Sequence, residues 1–329
     1  MRRLRVDPSW EGKGGIGRFY SEVFCRLNEG EKLNKISFPA SPFSTIYYSI
    51  QSLFYNSTDV FLYFGYIPPL FSKQKFIFVI YDLNHIDVPH NSSFLKKLFY
   101  KFVIKPGCYR AEKIITISEF SKKRIVEWSG VDKSKVINVA CGVSDIFFDN
   151  DSSYSCDFDY IFCPSNRKKH KNEERLILAF YEIYKTHNLN LIFTGEMTDD
   201  LKKLLENLNI IDRVHFMGYV NERTLATLYK GAKLTVFPSL YEGFGLPVLE
   251  SMASGTPVVT SDIGATKEVS GGCALLVDPL SVEDISRGIS TLLNSEKLIN
   301  EYRMAGIEKA KLYNWDKCSN DLAKTLNNI

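Results

Sequence analysis

Glu242 and Glu250 bracket the run Glu242-Gly-Phe-Gly-Leu-Pro-Val-Leu-Glu250, a composition suited to holding a phosphorylated, hydroxyl-rich ligand. Gly243 and Gly245 permit close backbone approach, and a helix starting near Leu246 would turn its first amides and positive dipole end toward an anion such as a diphosphate. Pro247 suits the first helical turn. Glu242 lies before that helix and Glu250 about one turn into it, so each carboxylate can accept paired hydrogen bonds from adjacent ribose or hexose hydroxyls. Without the surrounding glycines the same two acids would read as a solvated loop residue and an exposed helix residue.

Such a junction needs a strand in front of it, and the apolar run Leu234-Thr-Val-Phe-Pro238 supplies one; ligands of open α/β sheets bind at such carboxyl ends. Short runs rich in β-branched and aromatic residues alternate with segments of helical period, twice over. The first half predicts strands at Leu4–Val6, Val60–Phe64, Phe76–Tyr81 and Lys113–Ile117, with helices over Gly17–Leu27, Phe94–Ile104 and Ser118–Ser129. Beyond the polar, aperiodic stretch Ser144–Asp159, read as a linker, strands are expected at Tyr160–Cys163, Asn190–Thr194, Val214–Met217, Leu234–Phe237, Pro257–Thr260 and Ala274–Val277. The intervening helices run from Glu173–Thr186 to Glu296–Leu312.

The 329 residues exceed what one core usually organises, and a composition of 45% apolar and 24% charged residues excludes disordered and fibrous classes. Residues 1–150 hold 21 Lys and Arg against 14 Asp and Glu, and the remainder 20 against 24, so a +7 half precedes a −4 half. A basic half favours anionic lipid or phosphorylated ligands, or only solvates a surface. Seven cysteines without Cys-x-x-Cys spacing suggest neither a disulfide framework nor a zinc site, and fit a reducing cytoplasm. No secretory signal and no run near the roughly 20 apolar residues of a spanning helix is present. Ile36–Thr58 carries no charge, but its serines, prolines and Gln51 make it unsuitable for that role.

At Glu242–Glu250 the sequence resembles the Glu-x7-Glu signature of family-4 retaining glycosyltransferases of GT-B fold. The similarity extends to Gly14-Gly-Ile-Gly-Arg-Phe19, Ile115-Thr-Ile-Ser-Glu-Phe-Ser121, His170-Lys-Asn172 and Arg213-Val-His-Phe-Met-Gly218. It implies an α/β chain of two Rossmann-like, doubly wound parallel-sheet domains facing a cleft. Residues 1–150 would bind acceptor, residues 151–312 the nucleotide-sugar donor, and residues 313–329, with Trp315 and the helix Asp316–Asn327, would cross back to the first domain. By the same resemblance Glu250 binds the donor ribose, Glu242 contacts the transferred hexose, and Phe244, Gly245 and Leu246 give backbone contacts to phosphates and sugar. The cluster Asn166-Arg-Lys-Lys-His-Lys171 occupies the place where the family keeps an Arg/Lys pair for the leaving diphosphate. Lys171 aligns, with Arg167 or Lys168 as its partner, and such a pair would stabilise the negative charge that grows as the glycosidic bond breaks.

In the first domain, Gly12-x-Gly14-x-x-Gly17 matches a dinucleotide fingerprint and opens an alternative, a nicotinamide-dependent oxidoreductase, although the expected ribose-binding acid about 20 residues on is missing. The glycosyltransferase resemblance instead makes Gly15 and Gly17 a loop facing the cleft. Where many relatives carry His-Asp, this chain has Tyr81-Asp82; Tyr81 could replace the histidine as a donor to the sugar, ahead of His85, and Asp82 could orient the acceptor hydroxyl or merely form a turn. Asp149-Asn-Asp151 and Asp157-Phe-Asp159 mimic a metal-binding Asp-x-Asp motif but fall in the linker, so transfer without a metal or other cofactor is expected. Phe94–Lys105 mixes apolar and lysine positions like an interfacial helix. The partners expected are a nucleotide sugar (GDP-mannose or a UDP-hexose), a glycan acceptor that is lipid-linked, and an anionic membrane surface, not nucleic acid, in cytoplasmic assembly of bacterial O-antigen. A non-catalytic sugar-nucleotide-binding module is the remaining reading.

Overall fold

The computed structural model describes residues 3–27 and 29–329. The chain divides into two compact units, Met1–Gly142 together with Asn314–Ile329, and Val143–Tyr313. The first holds a six-stranded sheet of β1 (Leu4–Val6), β2 (Glu31–Lys32), β3 (Val60–Tyr63), β4 (Lys75–Val79), β5 (Lys113–Thr116) and β6 (Val136–Asn138), in the order β2-β1-β3-β4-β5-β6. The second holds β7 (Tyr160–Cys163), β8 (Asn190–Phe193), β9 (Val214–Phe216), β10 (Leu234–Phe237), β11 (Val258–Ser261) and β12 (Leu275–Val277), in the order β12-β11-β10-β7-β8-β9. Among the described residues every pairing between these strands is parallel, with Leu4 opposite Val60 in the first sheet and Leu234 opposite Ile161 in the second. Both faces of such sheets are covered, which is why β3, β7, β8, β10 and β11 are buried throughout and read as mostly apolar runs without strict alternation.

The second unit has the strand order of a nucleotide-binding Rossmann sheet, with its reversal between β7 and β10. Its core joins Ile161, Leu191 and Val236 of the sheet to Leu176 and Phe180 of the helix Glu173–His187 and to Ile285 and Ile289 of the helix Val282–Leu293. Each such side chain contributes about 1.5–3 kcal/mol by leaving water. In the first unit Phe61, Phe78 and Ile114 form the equivalent layer. The C-terminal helix Trp315–Asn327 packs into that unit, where Trp315 meets Phe19 edge-on at 6.0 Å and Cys318 donates to Ala140 O at 3.1 Å.

Several boundaries differ from the sequence reading. Ser144–Asp159 belongs to the second unit, which begins at Val143 and not near residue 151. Its polar composition conceals Phe147, buried edge-on against Tyr229, and Tyr154, whose N–H donates to Thr227 O at 3.0 Å. The acids of its two Asp-x-Asp triplets are exposed. The helix after β1 spans Gly14–Phe24, one turn earlier than Gly17–Leu27, so Gly15 and Gly17 lie in its first turn instead of in a loop. The helix Phe94–Phe99 continues through a π-helical turn, Tyr100–Ile104, into Lys105–Arg110; Pro106 has no N–H to donate, and the widened turn carries the helix past it. The helix Ser44–Ser52 has no counterpart in the sequence reading.

Gly17 and Gly15 separate two uses of glycine within one turn. A Cβ at Gly17 would stand 2.5 Å from Trp10 O, whereas one at Gly15 meets nothing within 4 Å. Gly17→Ala is expected to lower stability by about 1–3 kcal/mol through overpacking. Gly15→Ala should be neutral or raise it by up to about 1 kcal/mol, since alanine costs less backbone entropy in a helix. Urea unfolding of the two variants checks this, and equal midpoints would contradict it.

Candidate active site at the β7–β10 crevice

Where neighbouring strands are wound in opposite directions, the loops that follow them diverge and leave a crevice at their carboxyl ends. Here the loop after β7 carries Ser165 to Asn172, and the loop after β10 carries Ser239 to Gly245. The two are stitched together at each residue of His170-Lys-Asn172. Leu240 N–H donates to His170 O at 2.7 Å, and Lys171 Nζ donates to Glu242 Oε1 at 2.8 Å. Asn172, held at φ +63°, donates through Nδ2 to Pro238 O at 3.0 Å and Pro279 O at 2.6 Å.

Lys171 and Glu242 are both largely shielded, with side chains 11% and 14% exposed, and the ammonium lies 4.6 Å from the centre of the Phe237 ring. The Lys171 amine is therefore fixed by a carboxylate and an aromatic face at the mouth of the crevice. Burial of this order makes either charge costly to leave without its partner, unlike a surface ion pair.

Arg167 is also held at φ +63° and forms an ion pair with Glu173, which Ser165 Oγ supports as well. One Nη donates to Thr194 O, and the guanidinium lies 5.2 Å and 5.0 Å from the Phe193 and Phe216 ring centres. Gly195 makes room for it, since a Cβ there would approach Arg167 Nε to 3.1 Å. Burial pulls the Arg167 pKa down from its usual value while Glu173 opposes the fall, and Nε is buried without an acceptor. Lys168 stays exposed, so of the two candidates for the partner of Lys171, only Arg167 is drawn into the structure.

The Glu242 loop ends as the sequence implies. Gly245, at φ +109°, precedes the helix Leu246–Ala253, no side chain caps that terminus, and Pro247 occupies its first turn. Gly243 is buried beside Phe244, whose ring meets Tyr313 edge-on at 5.8 Å. Glu250 is 4% exposed and accepts from Tyr229 OH at 3.0 Å, so its carboxylate is a held, buried group and not an exposed helix residue.

In the first unit, the Tyr81 hydroxyl donates to Phe64 O at 2.8 Å, and burial drives its pKa well above the ordinary phenol value. Its single proton is thus committed, against the expectation that it donates to a sugar. Asp82 accepts from Asn84 N–H at 2.9 Å, the turn-forming contact that starts Asn84–Asp87, and His85 Nδ1 lies 3.1 Å from Tyr100 OH. Asp7, fully buried after β1, accepts from Ser9 Oγ at 2.5 Å and Tyr48 OH at 2.7 Å, and desolvation raises its pKa. Sequence reasoning missed Asp7, Glu173, Gly195 and Tyr229; only an unusual acid directly after an apolar strand could have flagged the first.

Residues 150–312 match the family described as Glycosyl transferases group 1. This segment is thus similar to the group 1 glycosyltransferases, and the fold is GT-B. It is 30% identical to an uncharacterized glycosyltransferase of Methanocaldococcus jannaschii over 236 residues, 65% of this chain and 59% of that protein. It is also 30% identical to an O-antigen chain mannosyltransferase of Salmonella typhimurium over 235 residues, 70% of this chain and 63% of that protein. The matches thus span about three fifths of these relatives' length. Among solved structures, sucrose-phosphate synthase from Thermosynechococcus elongatus superposes with a TM-score of 0.78 at 16% identity, covering 100% of this chain and 99% of that one. The oxidoreductase alternative is not favoured. Gly17, the last glycine of its fingerprint, is required by Trp10, a packing role.

Asn172→Ala would remove both stitching hydrogen bonds and a residue tolerant of the left-handed conformation. A loss of about 2–4 kcal/mol is expected in urea unfolding, from unpaired buried carbonyls and backbone strain. Asn172→Gly should recover only the backbone part, and wild-type stability in the alanine variant would contradict this account of the crevice.

Proposed function

We propose that the chain is a retaining hexosyltransferase that works without a metal ion, moving a hexose from a nucleoside-diphosphate sugar to a lipid-linked glycan in bacterial O-antigen assembly. The observation that carries this is the Lys171–Glu242 pair beside an uncapped helix N-terminus at the β7–β10 crevice. An anionic diphosphate seated there meets the Lys171 ammonium, the Arg167 guanidinium and the amides of Gly245 and Leu246. These fixed positive groups do what a divalent cation does elsewhere. Glu242 accepts from the hexose hydroxyls and Glu250, oriented by Tyr229, from the ribose diol.

The reaction in this reading is a front-face displacement. The bond between the anomeric carbon and the phosphate oxygen breaks as the acceptor oxygen bonds to the same face of that carbon. The departing phosphate oxygen takes the acceptor's proton, and a nucleoside diphosphate leaves. Mannose, as GDP-mannose, is the favoured donor group, supported by the O-antigen mannosyltransferases among the relatives. A UDP-hexose is the other donor to be tried. No helix among the described residues is long and apolar enough to cross a membrane, and the reading places the protein at the inner face of the cytoplasmic membrane as a peripheral enzyme.

Nucleotide release from a panel of nucleotide sugars, with and without a membrane-extracted acceptor, tests the reaction. Lys171→Ala, Glu242→Ala and Glu250→Ala should each keep the fold and lower kcat/KM by about 10-fold or more, equivalent to at least about 1.4 kcal/mol of transition-state stabilisation. Wild-type turnover in all three would remove the proposed site. Chelation with EDTA should leave the rate unchanged, and a loss restored by a divalent cation would refute metal-independent transfer.

A further inference from the structure

The helix Ser44–Ser52 is amphipathic in the wrong sense for a soluble protein. Its inward face is polar: Ser44, Thr45, Tyr48, Ser49, Gln51 and Ser52 are buried. Those groups are satisfied locally. Thr45 Oγ1 donates to Pro68 O at 2.6 Å, Ser49 Oγ accepts from Leu70 N–H at 2.8 Å, and Tyr48 OH reaches Asp7 at 2.7 Å. Its outward face is apolar, with Phe43, Ile46, Tyr47, Ile50, Leu53 and Phe54 exposed at helical spacing, Phe43 to 76% and Phe54 to 81%. Because Leu70 and Phe71 N–H groups both reach Ser49 Oγ, the exposed Leu70 and Phe71 side chains follow directly beside this helix. Isolated surface apolar residues need no explanation, but a contiguous patch of eight large ones does.

The charge around the patch says what covers it. Residues 36–58 contain no charged side chain. Cations stand at the rim: Lys13 Nζ donates to Ser37 O at 2.6 Å, Arg110 Nη2 donates to Pro69 O at 2.8 Å, and Lys73 is exposed two residues after Phe71. Nearby Glu11 is already paired with Lys32 and Lys35, and Glu112 with Lys75. Residues 1–142 with 314–329 hold 23 Lys and Arg against 14 Asp and Glu, a balance of +9, which leaves −6 on residues 143–313. A second copy seated on the same patch would bring two +9 units together, whereas an anionic bilayer complements both the apolar face and its basic rim.

We propose that the outer face of the helix Ser44–Ser52, continued by Leu70 and Phe71, inserts into the headgroup and acyl boundary of an anionic lipid bilayer, with Lys13, Lys73 and Arg110 on its phosphates. This rests on the reading above of a lipid-linked acceptor and names the surface that delivers the enzyme to it. The lysine-bearing helix that begins at Phe94 then adds charge, while insertion belongs to the patch.

The test is flotation of the full chain with vesicles of phosphatidylcholine alone and of phosphatidylcholine with phosphatidylglycerol. The wild type should float with the mixed vesicles and stay with the protein fraction for the neutral ones. Joint replacement Phe43→Ser, Ile50→Ser and Phe54→Ser should lower partitioning at least about tenfold, since buried apolar area sets interfacial affinity. These side chains are exposed, so an unchanged melting temperature shows that the fold survives. Phe54→Trp should blue-shift its emission on mixed vesicles. Vesicle binding retained by the triple variant, no binding by wild type, or a concentration-dependent dimer abolished by the triple variant would each overturn the proposal. Nucleotide release from a donor sugar is measured in parallel on soluble protein: its absence with vesicle binding intact counts against the transferase reading alone.

Discussion

The ion pair of Lys171 with Glu242 joins residues 71 positions apart, and the second unit is organised so that they can meet. The strand order brings β7 beside β10, and the change in winding direction opens the space beyond their carboxyl ends. The sheet has to be buried on both sides for that geometry to be rigid: the helices Glu173–His187 and Val282–Leu293 cover one face through Phe180, Ile285 and Ile289, and on the other Phe162 meets Tyr229 of the helix Glu222–Gly231 edge-on. Asn172 then secures the crevice from beneath, bridging the carbonyls of Pro238 and Pro279 with one amide group. The site is thus a product of topology first and of side-chain chemistry second.

Arg167 shows how the same region holds a second cation. Its guanidinium has lost water, sits against two aromatic rings, and is compensated by Glu173. The left-handed backbone at Arg167 and the missing Cβ at Gly195 are both needed for that seat. Strain of this kind persists only where the surrounding structure over-determines it, and such positions gather where ligands are held.

Periodicity and local motifs made much of this legible. The strands β3, β7, β8, β10 and β11 are short apolar runs between turn formers, and the Gly243, Gly245 and Pro247 pattern marks a strand-to-helix junction before any coordinate is known. Glu242 and Lys171 were legible because each sits in a local motif. Their mutual contact was not, because nothing local encodes which strands become neighbours. Glu173 as the partner of Arg167 and Tyr229 as the partner of Glu250 were hidden for the same reason. Two-residue β2 is too short and too exposed to leave a period, and the helix Ser44–Ser52 escaped because its polar residues face inward. Tyr81 shows the limit of a motif: the residue type suggested a donor, and only the fold shows that Phe64 already holds its proton.

In the proposed reading Lys171 is the cation of an anion site, and its pairing with an acid then carries its own consequence. Lys171, largely shielded, would be costly to leave without a counter-charge, and Glu242 supplies one. A diphosphate arriving at the ammonium would bear the same sign as that carboxylate, so the two would compete for Lys171. As the ammonium turns to phosphate, the carboxylate loses its partner and becomes a stronger acceptor for neutral hydroxyls, which a sugar attached to that diphosphate provides. A ligand with only the anion leaves the displaced carboxylate uncompensated, and one with only the hydroxyls leaves the original pair in place. Geometry of this kind discriminates by requiring both halves of a ligand together, because the electrostatic work of opening the pair is recovered only when phosphate and hydroxyls arrive on the same molecule.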